Sequence, residues 1–296
     1  MIYKNLRLRH EYKYYIPYAE YLAMRGRVSA FLTPDNNMPS PEGYHVRSLY
    51  FDDPVYSARF EKVSGYKNRS KTRIRIYNKD LETIRLEKKI KIFGYIGKRT
   101  AIISKKELDA IINRKTAILL ASPNKVVQRF YADLKTKLLR PVVLVDYMRE
   151  AYYYRMGNVR ITFDHNLQAV YGGFDSSLSD KGLIFKNVYP PGLLVMEVKF
   201  DDFLPTAVKR LIRPYTARRM AISKYVMALN AAGIGEKYGI EGFFFANGGA
   251  NNNTDDSALV SNTHTGNISR DANIGHMFQS RAGYGRRFRR DRHHNH

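Results

Sequence analysis

Cysteine is absent from the 296 residues of this chain. Its absence excludes disulfide bonds, thiolate metal sites and a cysteine nucleophile, and it fits a reducing compartment. Long apolar runs are missing too, since none approaches the ~18 residues that a membrane-spanning helix needs. The N-terminal stretch MIYKNLRLRHEYKYYI also lacks the apolar core of a signal peptide. We therefore expect a cytoplasmic protein with no membrane segment of its own.

Acidic residues are scarce: 27 Asp and Glu oppose 50 Lys and Arg, which gives a net charge of +23. Gly233–His296 holds 8 basic and 6 acidic residues, a net +2 that leaves +21 for residues 1–232. A folded body with this charge implies an anionic partner, which is nucleic acid, anionic lipid, or a phosphate-rich small molecule or polymer.

The segment from Lys71 to Arg99 is typical of a β-hairpin with one cationic face. Side chains alternate along a strand, so Lys71, Arg73 and Arg75 share a face while isoleucines occupy the other. A polar turn over 78–82 leads to a second strand, and Gly94 and Gly97 frame a turn that delivers two more cations. The polar side chains after the first turn are Arg85, Glu87, Lys89, Lys91, Lys98 and Arg99.

The same alternation recurs along residues 5–16, 141–154, 159–164 and 193–200, and a further strand is predicted over 44–51. The polar sides of these strands carry Arg9, Glu11, Lys13, Tyr147, Arg149, Arg160, Thr162, Asp164, Glu197 and Lys199. Helical periodicity is predicted near residues 17–31, 56–63, 104–120, 122–139, 204–212 and 220–232.

The ordinary interpretation of such strands is a half-buried sheet whose polar face lies in water. Two features weaken it: the polar faces are mostly cationic, and like charges on neighbouring strands destabilise a sheet. Helices between the strands are available to cover the apolar face from outside. We therefore expect an α+β fold, with a closed antiparallel β-barrel, helices packed outside and a cationic interior that needs an anionic occupant.

Phosphate chains suit this interior, because Arg binds phosphate oxygens in bidentate fashion and Lys acts as a point charge. Glu11 and Glu197 are the interior carboxylates, and they are candidate ligands for a divalent metal that bridges phosphate oxygens. Glu87 is interpreted as an ion-pair partner of a neighbouring cation.

Nine motifs occur in this order along the chain: RHEYKYYI, SLYFDD, KTRIRIY, LEKKIK, GKR, VDYMREAYY, VRITFD, MEVKF and SKY. Over roughly residues 4–230 they resemble the VTC domain, the polyphosphate polymerase domain of the vacuolar transporter chaperone complex, which belongs to the CYTH-like triphosphate tunnel metalloenzymes. The resemblance implies a β-barrel tunnel, over residues 1–232, that binds ATP and polyphosphate with Mn²⁺ or Mg²⁺. Residues 233–296 are predicted to be a mostly disordered tail.

The resemblance also implies roles for individual residues. Tyr147 would donate its hydroxyl to phosphate, Glu197 would hold the metal with Glu11 beside it, and Lys71, Arg99 and Arg9 fit the same wall. The phosphate ligands that the motifs imply are Lys13, Arg73, Arg75, Lys89, Lys98, Arg149, Arg160, Lys199 and Lys224. Lys91 stands where the family often has histidine.

The segment Arg9-His10-Glu11-Tyr12-Lys13 differs from the Glu-x-Glu-x-Lys pattern of the hydrolytic CYTH proteins, since an arginine replaces one carboxylate. Fewer carboxylates mean poorer activation of water, which favours transfer to phosphate over hydrolysis. The expected activity is therefore transfer of the γ-phosphate of ATP to a growing polyphosphate chain. Two alternatives stay open: a tunnel triphosphatase, and a non-catalytic module that binds polyphosphate or nucleic acid.

No DNA partner is expected. Coupling of synthesis to transport across a membrane would have to come from a membrane-protein partner.

Overall fold

The computed structural model describes residues 2–175, 178–180, 182–214 and 218–233. The predicted tail from residue 234 onward lies outside them. The main strands are β1 (His10–Pro17), β2 (Tyr44–Asp52), β3 (Arg69–Tyr77), β4 (Asp80–Ile92), β5 (Tyr95–Ile103), β6 (Arg140–Tyr154), β7 (Val159–Val170) and β8 (Leu193–Phe200). The helices are α1 (Tyr18–Phe31), α2 (Ser57–Val63), α3 (Lys105–Ile112), α4 (Lys125–Thr136), α5 (Thr206–Leu211) and α6 (Lys224–Ala231).

The eight strands form one antiparallel path in the order β1-β8-β7-β6-β2-β3-β4-β5. The sheet is strongly curled, since strands far apart on this path touch through their side chains. Lys89 on β4 lies 2.8 Å from a carboxylate oxygen of Glu11 on β1, although five strands separate β1 from β4 in the sheet order. The curl brings the polar faces of both ends of the sheet together on the concave side.

The expected α+β class with an antiparallel sheet is confirmed, but the expectation of a closed barrel is wrong. The path ends at β1 and β5, and no ladder joins these strands in the described part of the chain. They meet at one isolated bridge, in which Arg9 and Ile96 exchange two backbone hydrogen bonds of 2.8 and 2.9 Å. The sheet is therefore a half-barrel whose edges are tied at a single point.

A short segment, residues 218–223, covers part of the remaining gap, and we call it the strap. Arg219 forms an isolated bridge with Tyr14 on the free edge of β1, and the Met220 amide donates to the Lys13 carbonyl at 2.9 Å. Across the gap, Lys62 of α2 donates to the Ala221 carbonyl at 2.7 Å. The strap thus links the β1 edge to the elements beside β3.

The convex face of the sheet carries the apolar side chains, as the alternation predicts. Ile74 and Ile76 of the hairpin are fully buried in a cluster with residues of α3 and α4. A second cluster packs α1 and α5 against β7, β8 and the end of β1. A capping box begins α3, with Ser104 and Glu107 each accepting from the other's backbone amide. Helices outside the sheet are thus confirmed for this face.

Helix α6 departs from that expectation, because it lies on the concave side. Its buried residues Tyr225, Met227 and Leu229 share a cluster with Val145 and Val195, whose strands turn these positions inward. Ser223 caps the helix, so the N-terminal end of α6 lies next to the cationic interior. Among the described helices, α6 included, none has the length and apolar character that crossing a membrane requires.

Candidate phosphate-binding cavity

A cavity of about 400 Å³ occupies the concave side of the half-barrel. Its lining includes twelve Lys or Arg residues and two carboxylates, Glu11 and Glu197. The walls come from β1, β3, β4, β6 and β8, and the strap with the start of α6 forms another side. A space so rich in cations is unfavourable when empty, because like charges repel in a low-dielectric setting.

Eleven of the fifteen predicted site residues line this cavity: Glu11, Lys13, Lys71, Arg73, Arg75, Lys89, Tyr147, Arg149, Glu197, Lys199 and Lys224. They come from six different elements of the chain. Period-two alternation placed the ten strand residues on the inward face, and the curl of the sheet brings them together. Lys224 lies on helix α6 and was implied by the SKY motif.

Four predicted residues do not line the cavity. Lys98 lies beside Lys89 on the concave face and donates to Glu87 at 2.6 Å. Arg160 donates hydrogen bonds to the Asp35 carboxylate at 2.7 Å and to the Tyr44 hydroxyl at 3.0 Å.

Arg9 lies at the bridged edge of the sheet, where it pairs with Asp201 at 3.0 Å. The placement of Arg99 on the same wall is wrong. Arg99 pairs in register with Lys88, and Lys88 points to the convex side, where it contacts Asp133 of α4 at 2.6 Å. Since Lys98 faces inward, its neighbour on the strand must face outward.

Glu197 is the most heavily paired carboxylate of the cavity. Its oxygens accept from Lys13, Lys199 and Lys224, each at 2.9 Å. Burial alone would raise the pKa of Glu197, but these three cations hold it well below its ordinary value. The carboxylate is therefore ionised and is a weak proton acceptor at neutral pH.

Glu11 and Glu197 flank the same lysines. Glu11 accepts from Lys89 at 2.8 and 2.9 Å and lies 3.5 Å from Lys13, which also binds Glu197. Burial would raise the pKa of Glu11, but Lys13 and Lys89 lower it far below its ordinary value. Two ionised carboxylates on either side of shared cations lie close enough to act on one ligand.

The donor set bears on the predicted metal. No group of three or more His, Asp or Glu side chains in the described residues is arranged to hold an ion. Two carboxylates alone fit Mg²⁺ or Mn²⁺ only when substrate phosphates and water supply the remaining oxygens, which is the usual arrangement for Mg²⁺ in phosphate-transfer sites. The residues therefore fit a metal that arrives with a phosphate substrate.

Asp164 is a buried carboxylate that pairs with two cavity cations and to which the sequence interpretation gave no role. It is fully buried, accepts from Arg149 at 2.5 and 2.6 Å, and lies 2.5 Å from Lys224 Nζ. Burial would lower the pKa of Lys224, but Asp164 and Glu197 raise it well above its ordinary value. Asp164 thus fixes two cavity cations in place. Its alternation with Arg160 and Thr162 already placed it inward and was the available signal.

The two hairpin arginines, Arg73 and Arg75, are hydrogen-bonded to neighbouring side chains of the sheet. Arg73 contacts the buried carboxylate of Glu87 at 2.7 Å and the Tyr50 hydroxyl at 3.0 Å. Arg75 donates to Ser48 and to the Tyr147 hydroxyl, both at 3.0 Å. Glu87 is therefore an ion-pair partner, as the sequence suggested. These contacts orient the guanidinium groups and leave both arginines on the cavity wall.

Several cavity lysines have too few counter-charges. Burial lowers the pKa of both Lys89 and Lys199 to about 8, and their carboxylate neighbours only partly offset it. Lys71 is more extreme: burial, then Lys89 and Lys13, hold its pKa well below the ordinary value. A polyanion bound beside Lys89 and Lys199 would favour the charged forms of these two lysines, so the cavity is electrostatically complementary to phosphates.

The cavity lining beside the strap carries further cations to which the sequence interpretation assigned no role. Lys62, Arg69 and Arg219 line the cavity there together with Lys91. Burial, then Arg69 and Lys91, lower the pKa of Lys62 to about 8. Lys62 and Arg219 come from α2 and the strap, where no alternating pattern marks them, whereas Arg69 and Lys91 continue the alternation of β3 and β4.

Several solved structures are similar to this chain. In structure it is similar to a candidate adenylate cyclase from Bacillus halodurans, with 13% identity over 70% of this chain and 84% of the other and a TM-score of 0.40. It is also similar to a Pyrococcus horikoshii protein, with 14% identity over 75% and 98% of the two chains and a TM-score of 0.40. A candidate adenylyl cyclase from Hippeastrum, described as having a dominant triphosphatase activity, shows 15% identity over 76% and 96% and a TM-score of 0.42.

Likenesses this distant carry no weight in the assignment. No curated protein matches the sequence. The decisive comparison is with protein families, in which residues 8–232 match the VTC domain. This span includes every cavity-lining residue described above. The chain therefore belongs to the VTC domain family.

Proposed function

We propose that this protein is a polyphosphate polymerase, which transfers the γ-phosphoryl group of ATP to the end of an inorganic polyphosphate chain. The observation that carries the proposal is the lining of the cavity, with twelve Lys or Arg residues around two carboxylates. Such a set suits a ligand with many negative charges along its length, as a triphosphate or a phosphate chain has.

The cavity residues would act by binding and orientation. Arg73, Arg75 and Arg149 are held by carboxylate or hydroxyl partners, so their guanidinium groups are preorganised to receive phosphate oxygens. Lys13, Lys199 and Lys224 neutralise charge around Glu197 and would do the same for the transferred group. Phosphoryl transfer needs little else from a protein, because positioning and electrostatic stabilisation account for most of its catalysis.

A divalent metal, Mn²⁺ or Mg²⁺, would be held by Glu197 and Glu11 together with phosphate oxygens. When bound, it would neutralise charge on those oxygens and align them.

The state of the carboxylates favours transfer over hydrolysis. Attack by water needs a proton acceptor, and neither Glu11 nor Glu197 suits that role, because surrounding lysines hold both pKa values low. The terminal phosphate of an acceptor chain is already an anion and needs no base. With respect to these two carboxylates, a phosphate acceptor is therefore better matched to this cavity than water.

Incubation of the pure full-length protein with ATP and Mn²⁺ tests the proposal. We expect long-chain polyphosphate, detected on a gel and sensitive to an exopolyphosphatase, together with ADP. Release of orthophosphate without polymer would identify a triphosphatase instead. Retained tripolyphosphate binding with neither product would identify a non-catalytic binding module.

A further inference from the structure

One pair of cavity residues has no part in the mechanism above. Lys71 Nζ on β3 lies 2.7 Å from the hydroxyl oxygen of Ser223, at the junction of the strap and α6. Both residues line the cavity, and Ser223 is only 8% exposed. A hydroxyl and an amine at this distance have the geometry of an activated nucleophile and its base.

Lys71 differs from four of the other cavity lysines in its partners. Lys13, Lys89, Lys199 and Lys224 each form an ion pair with Glu11 or Glu197. Across the described residues, the polar contact of Lys71 is Ser223, and its amine also lies 5.4 Å from the ring centre of Tyr225. With other cations close by and no carboxylate paired to it, Lys71 is held towards its neutral form. A neutral amine accepts a proton, whereas an ammonium group does not.

The phosphate chain that accepts the phosphoryl group in the polymerase reaction does not need such a base. A phosphate chain attacks through an oxygen that is already ionised, so a lysine free of carboxylates would serve it only as a charge. A serine hydroxyl is different, because it is a weak nucleophile until its proton is removed. The placement of Lys71 is therefore explained by Ser223 rather than by the phosphate acceptor.

We propose that Ser223 is itself a phosphoryl acceptor, with Lys71 as the group that takes its proton. The inference rests on the proposed function, since it needs a nucleoside triphosphate in the cavity. The Ser223 oxygen forms a bond to the γ-phosphorus, and the bond from that phosphorus to the bridging oxygen breaks. The nucleoside diphosphate leaves with the electron pair of that bond, and the hydroxyl proton passes to Lys71.

The product is a phosphoserine at the first position before α6. There the helix N-terminus stabilises negative charge, and the newly formed Lys71 ammonium lies beside it. The phosphoserine carries an ionised terminal oxygen, so it can accept a second phosphoryl group without a base. Ser223 would thus start a phosphate chain when no free chain is present.

Two variants isolate the two roles. Ser223→Asn removes the acceptor oxygen but keeps a good N-cap residue for α6. Lys71→Arg places a permanent positive charge at this position and removes the base, because arginine does not lose its proton in proteins. Ser104→Asn is the matched control, since Ser104 caps α3 on the convex side of the sheet. Thermal denaturation checks that each variant folds. If Ser223→Asn does not fold, the label on Ser223 in Lys71→Arg tests the proposal instead.

The experiment incubates the full-length protein with ATP labelled at the γ-phosphate and Mn²⁺. It measures soluble polyphosphate and, after denaturation, label on the protein, which mass spectrometry assigns to a peptide. We expect label on Ser223 in the natural protein and in Ser104→Asn, none on that position in Ser223→Asn, and at least a tenfold decrease in Lys71→Arg.

The outcomes separate the two proposals. Polyphosphate without label on Ser223 overturns this inference and leaves the polymerase intact. Label on Ser223 without polyphosphate supports the inference and contradicts the polymerase. Undiminished protein label in Ser223→Asn, or undiminished Ser223 label in Lys71→Arg, contradicts the assigned roles. Absence of both products overturns both proposals.

Discussion

Lys224 and Asp164 form an ion pair, with Nζ 2.5 Å from a carboxylate oxygen, in a place where both side chains are almost fully buried. Lys224 belongs to α6 and Asp164 to β7, so the pair anchors the concave helix to the sheet. Arg149 on β6 binds the same carboxylate. One acidic side chain that is absent from the cavity lining thus positions two of the cations that are present in it.

Asp164→Asn should therefore destabilise the fold. It leaves Arg149 and Lys224 buried with one carboxylate fewer, which costs about 3–5 kcal/mol in the free energy of unfolding. Denaturant unfolding in the absence of ligand measures this. Asp35→Asn, which breaks the less buried pair with Arg160, should cost about 1 kcal/mol. In a double-mutant cycle, Lys224→Met should recover part of the Asp164→Asn loss; strict additivity would contradict the coupling.

Glu197→Gln should abolish turnover and leave polyphosphate binding intact. The amide keeps the shape of the side chain but cannot serve as a metal ligand of the same strength, so we expect a decrease of about a hundredfold or more in polymer formation. Affinity for tripolyphosphate without metal should be unchanged or higher, because a negative charge has left the cavity. Parallel rate and binding measurements test this.

Glu82→Gln is the control for this variant, because Glu82 is an exposed residue near Lys105. Normal turnover in Glu197→Gln together with lost binding would refute the metal assignment.

Arg73→Gln should weaken tripolyphosphate binding by about tenfold to a hundredfold, since a charge-assisted contact to phosphate is worth about 1.5–3 kcal/mol. Arg99→Gln removes the same charge from the next strand but one, on the convex side, and should change affinity less than about twofold. Isothermal titration calorimetry compares the two. Equal effects would mean that the hairpin acts only through its general charge and that its concave face lies in water.

Phosphate affinity should fall as pH rises through about 8. The folded pKa of Lys62 is lowered to about 8, so its ammonium form prevails below that pH and is lost above it. Phosphate binds the ammonium form, so tripolyphosphate affinity measured without metal should decrease between pH 7 and pH 9. Lys62→Met should show a smaller decrease over the same range. If the decrease in tripolyphosphate affinity with pH is the same in Lys62→Met, Lys62 is not part of the binding surface.

Much of this site was predictable because period-two alternation is a local property. Lys13, Arg73 and Glu197 were placed on one face by counting along their own strands, and the structure puts all three on one cavity. Arg99 shows where local reasoning failed. It was treated as part of a turn, whereas β5 begins at Tyr95, so the alternation already applied at Arg99. Asp164 was placed correctly but given no role, because its partners lie on other elements.

The position of α6 and the strap depends on contacts that no local pattern encodes. Helix periodicity in residues 220–232 indicated a helix but not which side of the sheet it would cover. The predicted helix began at residue 220, inside the strap, whereas α6 begins at Lys224. The pairing of the strap with β1 joins residues about 200 positions apart, such as Tyr14 and Arg219. The prediction of a closed barrel failed because no local pattern encodes contacts between the two edges of the sheet. In the structure these edges meet through side chains and single bridges.

The bridge and the strap have a consequence for the order of assembly. One wall of the cavity uses β1 from the start of the domain, and the adjoining closure uses residues 218–224 from its end. During synthesis the hairpin and its neighbours emerge first, with a row of cations that lacks Lys224 and the strap. Contacts this distant in sequence form late in folding. Phosphate binding should therefore appear only when the last helix docks, which makes substrate capture a property of completed molecules.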